Sequence, residues 1–181
     1  VSQAPSPDRP AARPDTLFAY GTLRFPAVLR ALLDRVPAHE PARVAGWRAL
    51  ALPGRVYPVL AAGGGTAEGL LLHGLTPPEW RVVDAFEDAD LYDLRRLTTT
   101  DGRHGWCYVS LPGVVAGPEA WSAERFAAVH LPGYVEHCAQ WRGAFERGTR
   151  PEAAARTAGG GRAGRRPDGG RPAPSTPPAP S

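Results

Sequence analysis

The sequence predicts an α+β fold, and three observations predict it. Short apolar runs that read as strands dominate the middle of the chain. Helical patterns are interspersed among them, without the regular strand–helix alternation of a doubly wound sheet. Pro and Gly, 21 of each in 181 residues, punctuate the runs into short elements.

The elements follow in order. Thr16 to Tyr20 reads as a first strand, apolar enough to be buried on both faces. It stops at Tyr20-Gly21, and a short helix follows over Pro26 to Asp34, with Pro26 suited to its first turn. Arg43 to Leu52 mixes apolar and polar residues and reads as a strand. Pro53-Gly54 makes a turn, and Val56 to Ala61 is a further short strand. Gly63-Gly64-Gly65 reads as a hairpin tip, because Ala67 to Leu75 is again strand-like. Thr76 then caps a helix that opens with Pro77-Pro78-Glu79, since Thr-x-x-Glu is the capping-box pattern. Its apolar residues Trp80, Val83 and Phe86 share one face, and it ends near Glu87. Leu94 to Thr100 and Trp106 to Leu111 form a hairpin around Asp101-Gly102-Arg103. A helix over Ala120 to Val129 is broken by Leu131-Pro132-Gly133, and a second helical piece runs from Tyr134 to Arg147. There is no internal repeat.

The ends differ from this middle. Residues 1 to 14 are rich in Pro, Ala, Ser and Arg. They lack the apolar stretch of a signal peptide, so the expected compartment is the cytoplasm. Residues 149 to 181 are Ala, Gly, Pro and Arg. Both segments bury too little apolar surface to offset their ordering entropy and are expected to be disordered. The expected domain is residues 15 to 148. No run approaches the ~18 apolar residues of a membrane span, so no membrane is expected.

The net charge of +3 belongs to the ends. Residues 15 to 148 carry 13 Arg against 15 acids, a net of −2, while the segment before carries +1 and the one after +4. An Arg-rich extension reads either as a nucleic-acid arm or as GC-rich codon usage. The absence of Lys, Ile, Asn and Met favours the codon reading, and no nucleic acid is expected. Two cysteines, Cys107 and Cys138, are too few for a disulfide scaffold and read as small apolar core residues.

Four segments carry candidate chemistry. Tyr20-Gly21-Thr22-Leu23 joins a strand to a helix. It is either an anion-binding nest of the Gly21, Thr22 and Leu23 N–H groups or an ordinary glycine turn. In Asp84-Ala85-Phe86-Glu87, Glu87 shares a helical face with Asp84 and stands at the helix C-terminus, where the dipole disfavours a carboxylate. It is either a partly buried acid of raised pKa, suited to general-base work, or a solvated acid continued by Asp88 and Asp90. Gly54-Arg55-Val56-Tyr57-Pro58 is a turn into a strand with Tyr57 at a rim. Tyr92-Asp93-Leu94-Arg95-Arg96 is a strand entry. The glycines at 63 to 65 lack a P-loop ending. His137 and Cys138 are adjacent on a helix and do not face each other. No Cys/His set has zinc spacing, so neither a metal nor a side-chain nucleophile is expected.

These four segments, in this order, resemble the γ-glutamylcyclotransferase-like (AIG2-like) family. Its members show a YGTL or YGSL loop, a Gly-x-x-Tyr-Pro segment, and a Leu/Val-Asp-x-Phe/Ile-Glu segment followed by Tyr and Arg. Here these are Tyr20 to Leu23, Gly54 to Pro58, Val83 to Glu87, and then Tyr92. The spacing after Tyr92 leaves either Arg95 or Arg96 at the arginine position. The resemblance covers about Leu17 to Leu111. It implies a small mixed β-barrel with flanking helices. It also implies a small-molecule γ-glutamyl substrate whose own α-amine attacks the γ-carbonyl, giving 5-oxoproline and a free amine without a cofactor. By resemblance Glu87 is the general base and acid. The backbone of Gly21, Thr22 and Leu23 holds the glutamyl group, Tyr20 shapes the pocket, and Tyr57 and Tyr92 wall it. A non-catalytic binding member of the same fold is the alternative, and the glutamate at position 87 favours the enzyme. With no long exposed apolar helix face, a monomer is favoured.

Overall fold

The computed structural model describes residues 16–148. The extensions expected to be disordered at 1–14 and 149–181 lie outside the described residues, as does position 15 of the expected domain. Five strands, β1 (Thr16–Ala19), β2 (Ala38–Ala51), β3 (Pro58–His73), β4 (Tyr92–Thr98) and β5 (His104–Ser110), form one sheet in the order β2-β3-β1-β5-β4. The helices are α1 (Pro26–Leu33), α2 (Pro77–Phe86), α3 (Ala123–Val129) and α4 (Leu131–Glu146). The fold is α+β and the sheet is mixed: β1 runs antiparallel to β3 and parallel to β5.

Alternation along β1 sets the core. Leu17 and Ala19 face a cluster that takes in Val28 and Leu32 of α1, Trp80 and Phe86 of α2, and Tyr134 and Trp141 of α4. Phe18 and Tyr20 face the opposite cluster, with Leu60, Leu71, Cys107 and Val109. A strand buried on both sides reads as a continuous apolar run, as Leu17 to Tyr20 does. Both cysteines are free thiols within these clusters.

The barrel implied by the resemblance is loosened to an open sheet. Its edges β2 and β4 share no ladder. The outer edge of β2 is taken up by other backbone. Ala51 N–H donates to Glu119 O at 3.0 Å, and Ala51 O and Ala49 O accept from Gly117 (2.8 Å) and Trp121 (3.0 Å). Pro41, further along the same edge, has no N–H to offer. The β4–β5 turn still reaches β2, where Thr100 N–H donates to Arg43 O at 2.8 Å.

Other differences have local causes. Gly63, Gly64 and Gly65 are not a hairpin tip but lie inside β3, where the three of them face the single residue Gly46 between Ala45 and Trp47 and make the bulge at which the register slips. The reversal falls earlier, between β2 and β3, where Arg55 N–H donates to Leu52 O at 3.0 Å. The expected break between two helices is present, but it falls at His130, between α3 and α4, and Pro132 occupies the first turn of α4, where its missing N–H costs nothing. The capping box of α2 forms as expected. Thr76 N–H donates to the Glu79 carboxylate at 2.7 Å, and Glu79 N–H returns to Thr76 Oγ1 at 3.4 Å. Arg35 adds two bonds to the same carboxylate, at 2.5 and 2.8 Å, and so fastens the start of α2 to the end of α1.

Gly69 marks the tightest approach between β3 and β1. A Cβ there would stand 2.5 Å from Ala19 O and 2.8 Å from the Phe18 ring, and neither neighbour has room to retreat. Gly69→Ala is expected to destabilise the fold by about 1–3 kcal/mol, read as a lower urea midpoint. An unchanged midpoint would mean that the two strands separate at little cost.

Candidate active site

The site begins where β1 runs out. Tyr20 and Gly21 lead into a single 3₁₀ turn over Thr22–Arg24, closed by Arg24 N–H to Gly21 O and Phe25 N–H to Thr22 O, both 3.2 Å. The first N–H groups of such a turn have no partner inside it. Among the described residues, those of Gly21, Thr22 and Leu23 make no turn or loop hydrogen bond. Pro58 packs directly on Gly21, and a Cβ there would meet the proline ring at 2.9 Å. The two motifs, 37 residues apart in sequence, therefore touch through the missing side chain of glycine.

Glu87 follows the last residue of α2 and turns into extended backbone, at φ −72° and ψ 136°. Phe86, just before it, is buried in the helical layer, which points the end of α2 inward. Burial pushes the Glu87 carboxyl up to about 8, with the negative charges of Asp88 and Asp84 adding to the effect. The helix C-terminus acts in the same direction. Asp84, one turn earlier, accepts a hydrogen bond from Tyr108 Oη at 2.6 Å.

Glu87 opens into a surface pocket. Tyr20, Tyr57, Tyr92, Tyr108 and Tyr134 all line it, and they are all the tyrosines of the chain. Two of their hydroxyls hold backbone. Tyr20 Oη accepts from Leu60 N–H at 3.1 Å, and Tyr92 Oη donates to Pro58 O at 2.7 Å. Trp121 Nε1 donates to Val56 O at 2.8 Å. Three bonds from three places thus fix the backbone on either side of Tyr57. Burial pushes the Tyr57 phenol up to about 12 and those of Tyr20, Tyr92 and Tyr134 well above their ordinary value. Charge on a phenol is disfavoured here, as it is on Glu87.

The residues given catalytic or binding roles by the resemblance, Tyr20 to Leu23, Tyr57, Glu87 and Tyr92, line this one pocket. Arg95 and Arg96 do not. Both are exposed on β4, and Arg95 Nε donates to Asp93 at 3.2 Å. Sequence reasoning missed Tyr108, on β5, and Tyr134, on α4. The one signal in the sequence was compositional: the scarce tyrosines include three already in motifs. Among the described residues, no group of three or more His, Cys, Asp or Glu is placed to hold a metal ion, and no helix is long and apolar enough to cross a membrane.

The profile of the family described as gamma-glutamyl cyclotransferase, AIG2-like, matches residues 17–126. The chain belongs to this family. It is 45% identical over 82 residues to AIG2-like protein C of Arabidopsis thaliana and 28% identical over 134 residues to AIG2-like protein D of the same plant. Those matches take in 45% and 67% of this chain. The chain spans about half the length of protein C, 47%, and 84% of protein D. Solution structures of two further Arabidopsis thaliana proteins share the fold. Their TM-scores are 0.51 and 0.52, at 22% and 24% identity, covering 80% and 83% of this chain and 99% and 90% of theirs.

The raised carboxyl has a consequence for stability. Unfolded, Glu87 ionises near 4.5; folded, near 8. Between those values the folded protein keeps a proton that the unfolded chain has lost, so stability falls as pH rises through that window. Glu87→Gln removes the effect. The variant is expected to melt increasingly above the wild type as pH is raised from 5 to 9, read by thermal denaturation. A gap that stays constant over that range would count against the raised ionisation.

Proposed function

We propose that the protein is a γ-glutamyl cyclotransferase that converts the γ-glutamyl group of an amide to 5-oxoproline and releases the amine, with Glu87 carrying the proton. The observation that carries this reading is the position of the half-buried Glu87 in the pocket that also holds the Tyr20-Gly21-Thr22-Leu23 turn, with Asp88 and Asp84 near enough to help hold its carboxyl protonated. The α-ammonium of the substrate is a weak acid, and a carboxylate whose pKa is raised toward it is a better base for it than an ordinary carboxylate.

The proton balance closes without a nucleophile from the protein. The Glu87 carboxylate takes one proton from the substrate's α-ammonium. The freed amine attacks its own γ-carbonyl, and the C–N bond of the ring forms. As the tetrahedral centre collapses, the bond to the departing nitrogen breaks and Glu87 returns its proton there. The proton shed by the ring nitrogen ends on the released amine, which leaves as an ammonium. Attack within one molecule, held in a reactive pose, is worth roughly 7–11 kcal/mol. The pocket therefore has to fold the glutamyl chain on itself and exclude water. In this reading the N–H groups of Gly21, Thr22 and Leu23 grip the glutamyl oxygens, Tyr20 shapes the floor, and Tyr57 and Tyr92 form the wall.

Wild type and Glu87→Gln, incubated with a panel of γ-glutamyl amino acids and amines, test this directly. The wild type is expected to release 5-oxoproline and the variant to lose on the order of 10²–10⁴ in rate. A variant that keeps its activity removes Glu87 as the base. The acid limb of kcat/KM is expected near pH 8. Asp84→Asn removes one of the charges that hold Glu87 up, so it should move that limb to lower pH. A limb that stays in place would exclude Asp84 from setting it.

A further inference from the structure

Tyr134 stands on α4, beyond the residues the family profile matches, yet it reaches the Tyr20–Leu23 turn. Its Oη lies 3.3 Å from Thr22 Oγ1, and both residues are more than nine-tenths buried, at 8% and 6% exposed. Two hydroxyls own two protons between them. Their mutual bond uses one. The other has no acceptor among the described residues, and both residues line the pocket. At 3.3 Å the bond is long for O–H···O, so it yields readily to a better acceptor.

The charge of the pocket says what that acceptor is. Glu87 and Asp88 line it, and among the described residues no Arg or His does. A ligand that brings its own carboxylate into such a place meets no cation, so neutral donors must receive it. The Tyr134 phenol is kept protonated by burial, which pushes it well above its ordinary value. It therefore remains a donor throughout the range in which Glu87 titrates.

We propose that the Thr22–Tyr134 hydroxyl pair is the subsite for the α-carboxylate of the glutamyl group, donating one O–H to a carboxylate oxygen. This rests on the cyclotransferase reading of the site. It makes α4 part of substrate recognition. It also makes the two hydroxyls interchangeable: with either one removed, the survivor has a proton and no other acceptor, so it turns to the ligand.

Thr22→Val and Tyr134→Phe keep shape and ring, and they are compared singly and together. Each single variant is expected to raise KM a few-fold, because the remaining hydroxyl loses the polarisation of its partner. The double variant is expected to raise KM on the order of 10–100-fold, well above the product of the singles, with kcat within a few-fold, because the contact is equally present in ground and transition states. Calorimetric binding of 5-oxoproline should weaken in parallel. Binding of 2-pyrrolidone, the same ring without the carboxylate, should be alike in wild type and double variant.

The proposal is overturned by singles that simply multiply, by a fall in kcat at unchanged KM, or by equal loss of 2-pyrrolidone binding. A wild type that binds 5-oxoproline but turns over no γ-glutamyl compound refutes the reaction and leaves the subsite to be judged on the binding arm. A wild type that does neither removes both.

Discussion

The Glu87 carboxyl sits at the end of α2, in surroundings that disfavour its charge from three sides. Burial is the largest influence, Asp88 and Asp84 add repulsion, and the carbonyl end of the helix adds its dipole. Such a group is tolerated only if the element that carries it cannot move aside into water. The other end of α2 shows how it is held. Thr76 and Glu79 cap each other, and Arg35 from the end of α1 grips Glu79 with two nitrogens. Between the two ends, Trp80, Val83 and Phe86 are buried. The helix is ten residues long, too short to be stable alone, so these contacts decide where its C-terminus points.

Tyrosine suits the surroundings of such a carboxyl better than phenylalanine or histidine. A phenol supplies apolar area for burial and a polar tip for a hydrogen bond. It stays neutral where a histidine would add a charge. Tyr20 and Tyr92 spend their hydroxyls on the backbone at Leu60 and Pro58, and the Trp121 indole N–H donates to Val56 O. Two of the three anchors, Tyr20 and Tyr92, are thus also part of the pocket's own surface. The fit of Pro58 against Gly21 depends on these anchors, because a proline ring has no polar group of its own with which to hold its place.

Local patterns were legible in the sequence, and contacts across the sheet were not. The strand, turn and helix around Tyr20 to Leu23, the capping box at Thr76 and the helical face ending at Glu87 are each written within about ten residues. The open sheet was not legible, because it follows from residues 117–121 occupying the outer edge of β2. The misplaced hairpin tip has a similar cause: three glycines look like a turn unless it is known that β3 pairs with β2 on both sides of them, which makes them a bulge. Tyr108 and Tyr134 were missed for the same reason. Tyr108 meets Asp84 across 24 residues and Tyr134 meets Thr22 across 112, and no period or motif encodes either distance.

Helix α4 ties the two halves of the site together. Tyr134 meets Thr22 through its hydroxyl and Phe86 through its ring, edge-on at 6.4 Å, while Trp141 meets Phe86 edge-on at 5.0 Å. Phe86 is the residue immediately before Glu87. The helix that contacts the turn is therefore also the backing for the carboxyl, and a shift of α4 would displace both at once. Close-packed rings transmit such shifts because the interior has little free volume to absorb them. The profile match ends at residue 126, but the pocket does not, since α4 begins at Leu131. A domain trimmed to the matched segment would keep every motif and lose the helix against which the turn and Glu87 are set.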